Sequence, residues 1–319
     1  ADIKRNSTQK TGLYGVNINI HNEIYIEINI RRIRLMSKVA IVTDSTAYIP
    51  SDLLSRHNIT TVPQVLIWGE ETFKDGVDIL PDEFYKRLST AKVMPSTSQV
   101  SPMTLKIVFE KLLGEGYEIC GVFLSAKLSG TIQSATQAID MLPQSKGKIS
   151  IVDSDSTAMA MGFQVLAAAK AAEAGASLKE ITSLVETARK HTGVLFVVDT
   201  LEFLYRGGRI GGAQRLLGTA LNFKPILELK EGRIDSLEKV RTKGKAYTRV
   251  LEILVDRIGS QSNIHLATLH ANAEVDARAL LERAVAQLHP QETIFTSVSP
   301  VIGTHAGPGT VGLAFMAGL

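Results

Sequence analysis

The groups with chemistry to offer in this 319-residue chain are three clusters of hydroxyl side chains, one imidazole and a few arginines. The hydroxyl clusters are Asp44-Ser45-Thr46, Ser96-Thr97-Ser98-Gln99-Val100-Ser101-Pro102, and Ser125 through Ser129-Gly130-Thr131. Each falls where a short apolar run ends. A helix that starts at such a point offers unpaired N–H groups and the positive end of its dipole, which suits an anionic head group. Taken singly, each cluster is also an ordinary helix cap, and Ser45 and Ser101 are read that way. Three clusters at successive strand ends would nonetheless converge on one edge of a sheet, where open α/β folds bind ligands. The segment from Tyr205 to Gly212 is glycine-rich and basic. Arg206 and Arg209 there either face an anion or are solvated arginines at a helix end. His305 stands beside a glycine turn, where an imidazole can donate to a carboxylate or serve as a structural hydrogen-bonding group.

Several familiar chemistries are excluded. Gly307, Gly309 and Gly312 spell G-x-G-x-x-G, but a strand-like run, Val311 to Phe315, follows where a dinucleotide site needs a helix. No G-K-[ST] phosphate loop, H-E-x-x-H, paired-cysteine pattern or G-x-S-x-G elbow occurs. His265 and His270 lie five apart on a strand-like run, hence on opposite faces, and do not suggest a shared metal. The single cysteine, Cys120, sits in an apolar run and reads as a core residue. One cysteine permits no internal disulfide, which fits a reducing compartment such as the cytoplasm.

The elements that would position these groups alternate. Strand-like runs at Val39–Thr43, Thr60–Trp68, Ile119–Leu124 and Ile149–Val152 are interleaved with helical patterns. These are Ser51–His57, Pro81–Leu88, Ser101 to about Leu113, Ser129 to about Leu142, Ser156–Ala174 and Leu178–Ala188. That rhythm predicts a mostly parallel sheet with helices on its faces. It changes after about Gly193. Strand-like runs at Val194–Val198, Pro225–Leu229, Ser236–Val240, Ile264–Leu269 and Ile294–Val298, with helices at Gly244–Ile258 and Ala273–Leu288, predict an α+β arrangement. Glu231-Gly232 reads as a hairpin turn. The fold class expected is α/β in two domains, a parallel-sheet domain over 36–193 and an α+β domain over 194–319.

Residues 1–35 differ in composition, with eight Ile and five Asn. Val16 to Ile30 alternates with period two and reads as strand or hairpin. The expectation is an extension outside the folded body, with Met36 as a natural start, or else an edge hairpin that pairs with a partner chain. The leader holds six of the 35 Lys and Arg and three of the 32 Asp and Glu, so the body carries 29 of each and is net neutral. A neutral body lacks the basic field that nucleic-acid binding needs. No apolar run reaches the length of a membrane span, so no stable membrane insertion is expected.

Taken in order, the motifs resemble the DegV family of bacterial fatty-acid-binding proteins. The resemblance runs from about Lys38 to the end. It is carried by Val42–Thr46, Thr97–Pro102, Leu128–Thr131, Gly207–Ile210, Lys239–Thr242, His270-Ala271 and His305–Thr310. Val100 departs from it, since the family commonly has proline there. The resemblance implies a two-domain fold with one long-chain fatty acid held between the domains. It implies a carboxyl held by Thr97, Ser129 and His305, with Ser98, Gly130 and Thr131 in the same motifs. It also implies that Arg209 and Arg241 serve a partner fatty acid kinase, which uses ATP to form an acyl phosphate on the carried lipid. The chain itself would then be a non-enzymatic carrier without cofactor or metal. Two other readings stand beside this one. One is a self-sufficient small-molecule phosphotransferase using Arg209 and Arg241, with Asp44, Asp153 and Asp155 as the strand-end acids for a magnesium ion. The other is an adaptor acting through the isoleucine-rich leader.

Overall fold

The computed structural model describes residues 38–218 and 223–319. The leader, with its alternating Val16–Ile30 run, lies outside the described residues. The described elements, in chain order, are β1 (Lys38–Asp44), α1 (Ser51–Arg56), β2 (Thr60–Val62), β3 (Val65–Trp68), β4 (Glu71–Lys74), α2 (Pro81–Leu88), β5 (Ser96–Ser98), α3 (Pro102–Gly114), β6 (Tyr117–Phe123), α4 (Thr131–Asp140), β7 (Ile149–Asp153), α5 (Ala158–Glu173) and α6 (Leu178–Ala188). There follow β8 (Thr192–Val197), α7 (Glu202–Arg206), β9 (Lys224–Lys230), β10 (Arg233–Val240), α8 (Lys243–Ile258), β11 (His265–His270), α9 (Glu274–Leu288), β12 (Glu292–Ile294), α10 (Pro300–Ala306) and β13 (Val311–Met316).

Two main sheets form from these strands. The first is parallel throughout, in the order β2-β1-β6-β7. Its central strands are buried on both faces, as a parallel sheet covered by helices requires. Leu105 and Phe109 of α3 and Ala135 and Ala138 of α4 cover one face against Ile119 and Phe123. The second sheet has six strands, β10-β9-β8-β13-β11-β12, and is antiparallel except for the β11–β12 pair. Val250 and Leu254 of α8 and Leu280 and Ala284 of α9 cover its outer face.

Helix α5 joins the two sheets. It is apolar around almost its whole circumference, with Met159, Met161, Phe163, Val165 and Leu166 all buried. A helix of that kind belongs inside a protein. It packs on β1 and β6 of the first sheet and on β8, β11 and β13 of the second. Gly162 permits the close approach, since a Cβ there would lie 2.8 Å from the Ala47 carbonyl oxygen.

Local chemistry explains the helix ends. Ser101 caps α3 by accepting from Thr104 N, with Pro102 in the first turn. Ser177 and Glu180 form a capping box on α6. Ser45, by contrast, is not a cap: Asp44 caps the short 3-10 turn Ser45–Ala47, and the Ser45 hydroxyl reaches elsewhere.

The run Thr60–Trp68, expected as one strand, is two strands in different sheets. Pro63 lacks the N–H that a continuing ladder needs, so β2 stays with β1 while β3 turns away to pair antiparallel with β4 and β5. The run Ile294–Val298 is strand only up to Ile294, after which Ser299-Pro300 opens α10. That short helix carries His305, which the sequence sets only beside a glycine turn.

Candidate functional site

Three separate structural devices bring Thr97, Ser129 and His305 together. Thr97 lies on β5, opposite Leu66 of β3. Ser129 ends a tight turn in which its N–H donates to the Ser125 carbonyl at 3.1 Å, just ahead of α4. His305 lies in the last turn of α10. Asp75 holds the other end of that helix. Its carboxyl accepts from Val301 N at 3.1 Å and from Ser299 Oγ at 2.7 Å, and also takes the Ser45 hydroxyl at 2.6 Å. A carboxylate at a helix N-terminus satisfies an orphan N–H and complements the dipole.

The result is a junction between residues 208 positions apart: Thr97 Oγ1 and His305 Nε2 lie 2.7 Å from each other. Burial, with Arg209 nearby, pulls the His305 imidazole down to about 4. The ring is therefore neutral at pH 7. Among the described residues its Nδ1 is buried with no hydrogen-bond partner, against Gly207. An unpaired acceptor costs less than an unpaired N–H, so the proton sits on Nε2 and is donated to Thr97 Oγ1. The Thr97 hydroxyl proton is left free to point into the site.

On the other side, Ser129 Oγ lies 3.0 Å from Thr131 Oγ1. Thr131 is fully buried and takes the Gln64 side-chain amide at 2.9 Å. Gly130 gives Gln99 room, since a Cβ there would lie 2.9 Å from the Gln99 amide nitrogen. Ser98 lies at the mouth and is exposed.

Behind these groups is a cavity of about 80 Å³ whose exposed lining is overwhelmingly apolar. Thr97, Ser129, His305, Gln64 and Arg209 stand among its polar wall. Leu128, Val194, Phe196, Leu229, Leu269 and Val301 are among its apolar wall, drawn from the six-stranded sheet, the turn ahead of α4 and α10. This is the usual composition of a small-molecule site, mostly hydrophobic with a few convergent polar groups.

The arginines separate. Arg209 lines the cavity, donating from Nε to the Leu128 carbonyl at 3.0 Å and from Nη1 to the Gly207 carbonyl at 2.7 Å. Arg206 is paired with Glu202 on the surface instead of facing the cavity. Arg241 is exposed between β10 and α8, outside the cavity lining. The acids proposed for a magnesium ion are also occupied. Asp44 is fully buried and accepts from Thr46 N, Thr46 Oγ1 and Leu124 N. Asp153 accepts from Ala126 N and Asp155 N, and Asp155 pairs with Arg189. Among the described residues no group of three or more His, Cys, Asp or Glu could hold a metal ion.

Gln64 and Asp75 were not legible as site residues. The available signals were a polar residue after proline inside an apolar run, and an Asp-Gly turn pair.

Residues 38–318 match the family described as "uncharacterised protein, DegV family". The chain belongs to the DegV family. A DegV domain-containing protein of Streptomyces coelicolor is 40% identical over 282 residues, covering 86% of this chain and 97% of that protein. Among solved DegV structures, a fatty-acid-binding protein from Thermus thermophilus shares 35% identity at a TM-score of 0.83, covering 88% of this chain and 99% of its own. DegV of Bacillus subtilis, also described as a fatty-acid-binding protein, shares 33% identity at a TM-score of 0.80, again over 88% and 99%. The two-lobed arrangement of parallel and mainly antiparallel sheets is thus the DegV fold. No described helix is long and apolar enough to cross a membrane.

Proposed function

We propose that this chain binds one long-chain fatty acid, with the tail in the apolar cavity and the carboxyl at Thr97, Ser129 and His305. It acts as a non-enzymatic carrier that presents the carboxyl to a partner fatty acid kinase in the cytoplasm. The observation that carries the reading is the convergence of those three side chains, from three distant segments, at the polar end of an otherwise apolar cavity. The fatty-acid-binding descriptions of two DegV relatives support the same ligand.

The physics assigns different tasks to the two ends. Burying about 14 methylenes at ~0.8 kcal/mol each is worth roughly 11 kcal/mol, from which ordering and immobilisation remove several. The apolar lining is mostly aliphatic, with Phe196 among it, so a long acyl chain would be admitted by rotamer shifts of these side chains. Hydrogen bonds to the carboxylate contribute only ~1.5–3 kcal/mol each. Their task is orientation: Ser129 and Thr97 donate to the carboxylate while His305 holds Thr97 in the donating state. Arg209 beside this end favours the negative charge, before and after phosphorylation. Exposed Arg241, outside the cavity, is a partner-docking candidate.

Lipid extraction of the purified chain, followed by mass spectrometry and oleate titration, tests the reading. One long-chain fatty acid per chain, or stoichiometric oleate uptake, is expected. Recovery of none together with no uptake would refute it. Supplying a DegV-linked kinase and ATP should convert bound oleate to acyl phosphate, and the R209A and R241A variants should lose that conversion.

A further inference from the structure

The Ser129 hydroxyl is useful to a carboxylate only if its own proton points at the ligand. A serine hydroxyl has one proton and can spend it on a neighbouring acceptor instead. Thr131 Oγ1, at 3.0 Å, is such an acceptor. What decides the direction of that bond is the group behind Thr131.

That group is Gln64, 2% exposed, whose side-chain amide nitrogen lies 2.9 Å from Thr131 Oγ1. Its amide nitrogen is the nearer end to Thr131, at 2.9 Å from Thr131 Oγ1 against 3.4 Å for the amide oxygen. The backbone is fixed: Gln64 N–H donates to Ser45 Oγ at 3.1 Å, and its carbonyl takes Asp75 N–H at 2.9 Å. With Gln64 donating to it, Thr131 has one proton left. Its options are Ser129 Oγ at 3.0 Å or the Gln64 carbonyl oxygen at 3.4 Å. The shorter contact wins, so Thr131 donates to Ser129, and the Ser129 proton is freed for the ligand.

We propose that Gln64 is a positioning residue that, through Thr131, sets the donor direction of the Ser129 hydroxyl and so makes the site selective for carboxylate over uncharged head groups. The inference rests on the fatty-acid reading above. It gives the site two matching arms, His305 to Thr97 on one side and Gln64 through Thr131 to Ser129 on the other, each ending in a hydroxyl proton aimed at the carboxylate.

The test is a comparison of oleate and oleyl alcohol binding, both delivered from cyclodextrin, in the wild-type chain and in Gln64→Met and Thr131→Val. An alcohol can donate its own proton, so it does not need the donor direction that a carboxylate requires. Gln64→Met leaves Thr131 free to accept the Ser129 proton and should lower oleate affinity roughly tenfold, the effect of one hydrogen bond to a charged group, with oleyl alcohol affinity unchanged; Thr131→Val removes the competing acceptor and should keep oleate affinity near wild type. In Gln64→Met, a parallel loss of both ligands, or no loss of either, would overturn the assignment, as would a tenfold oleate loss in Thr131→Val. If Gln64→Met does not fold, Gln64→Leu, which likewise removes the donor to Thr131, carries the same test. A wild-type chain that takes up neither ligand would instead refute the fatty-acid reading itself.

Discussion

Gly207 lies against the imidazole of His305 so closely that a Cβ on Gly207 would overlap His305 Nδ1. The backbone of Gly207 is in an ordinary helical region, so the requirement for glycine there is purely one of space. G207A should therefore push the ring away from Thr97, and oleate affinity should fall by an order of magnitude or more. Overpacking of this kind costs about 1–3 kcal/mol of stability, so the variant should still fold. Unchanged oleate affinity in a folded G207A would show that His305 needs no such seat.

His305 also makes stability depend on pH. Its folded value of about 4 lies below its ordinary 6.5. The unfolded chain therefore takes up the proton first, and the contribution is complete above pH 6.5 and lost as the pH falls toward 4. Relative to H305Q, the wild-type chain should lose on the order of 3 kcal/mol by pH 4. Denaturant unfolding of both proteins at pH 7.5, 5.5 and 4.5 measures this, and parallel pH profiles would contradict it.

Asp75 holds Ser45, Ser299 and the N-terminus of α10 on one buried carboxyl. D75A leaves two hydroxyls and an N–H without their partner and should cost roughly 2–4 kcal/mol. D75N keeps the shape, and the serine hydroxyls can turn to accept from its amide, so it should stay within about 1 kcal/mol of wild type. Burial raises the Asp75 value above the ordinary 3.8. The wild-type chain should thus compare best with D75N at low pH and lose ground as the pH rises through the folded value. Urea titration of both variants checks the order. An equal loss in D75N and D75A would show that charge matters here more than geometry.

Much of this architecture was legible from periodicity, because buried parallel strands and capped helices announce themselves locally. Val39–Thr43, Ile119–Leu124 and the Ser101-Pro102 cap are examples. The Thr97, Ser129 and His305 motifs were legible through family resemblance, in a way that none was singly. What was not legible depends on contacts across the chain. Pro63 splits an apolar run between two sheets, and the run itself gives no sign of which neighbour each half will take. Asp75 acquires its role from Ser299, 224 positions away. Gln64 acquires its role from Thr131, 67 positions away. No local pattern encodes either pairing. The helix carrying His305 was hidden because Ile294–Val298 continues an apolar strand pattern past the last paired residue, Ile294.

Leu229, half-buried on β9, lines the apolar wall. L229W should fill part of the cavity and shift preference toward shorter acids. Lost room for about three methylenes corresponds to roughly 2–3 kcal/mol against palmitate, with decanoate affected far less. Competition binding across a series of chain lengths reads this out. An unchanged chain-length profile would place the tail elsewhere.

The most direct measurement is carbon-13 NMR of oleate labelled at its carboxyl carbon and bound to the wild-type chain, T97V, S129A and H305Q. The account predicts a single bound carboxyl resonance in the wild type, displaced or lost in each of the three variants. A bound resonance unmoved by all three substitutions would put the carboxyl somewhere other than between Thr97, Ser129 and His305, and would contradict the account.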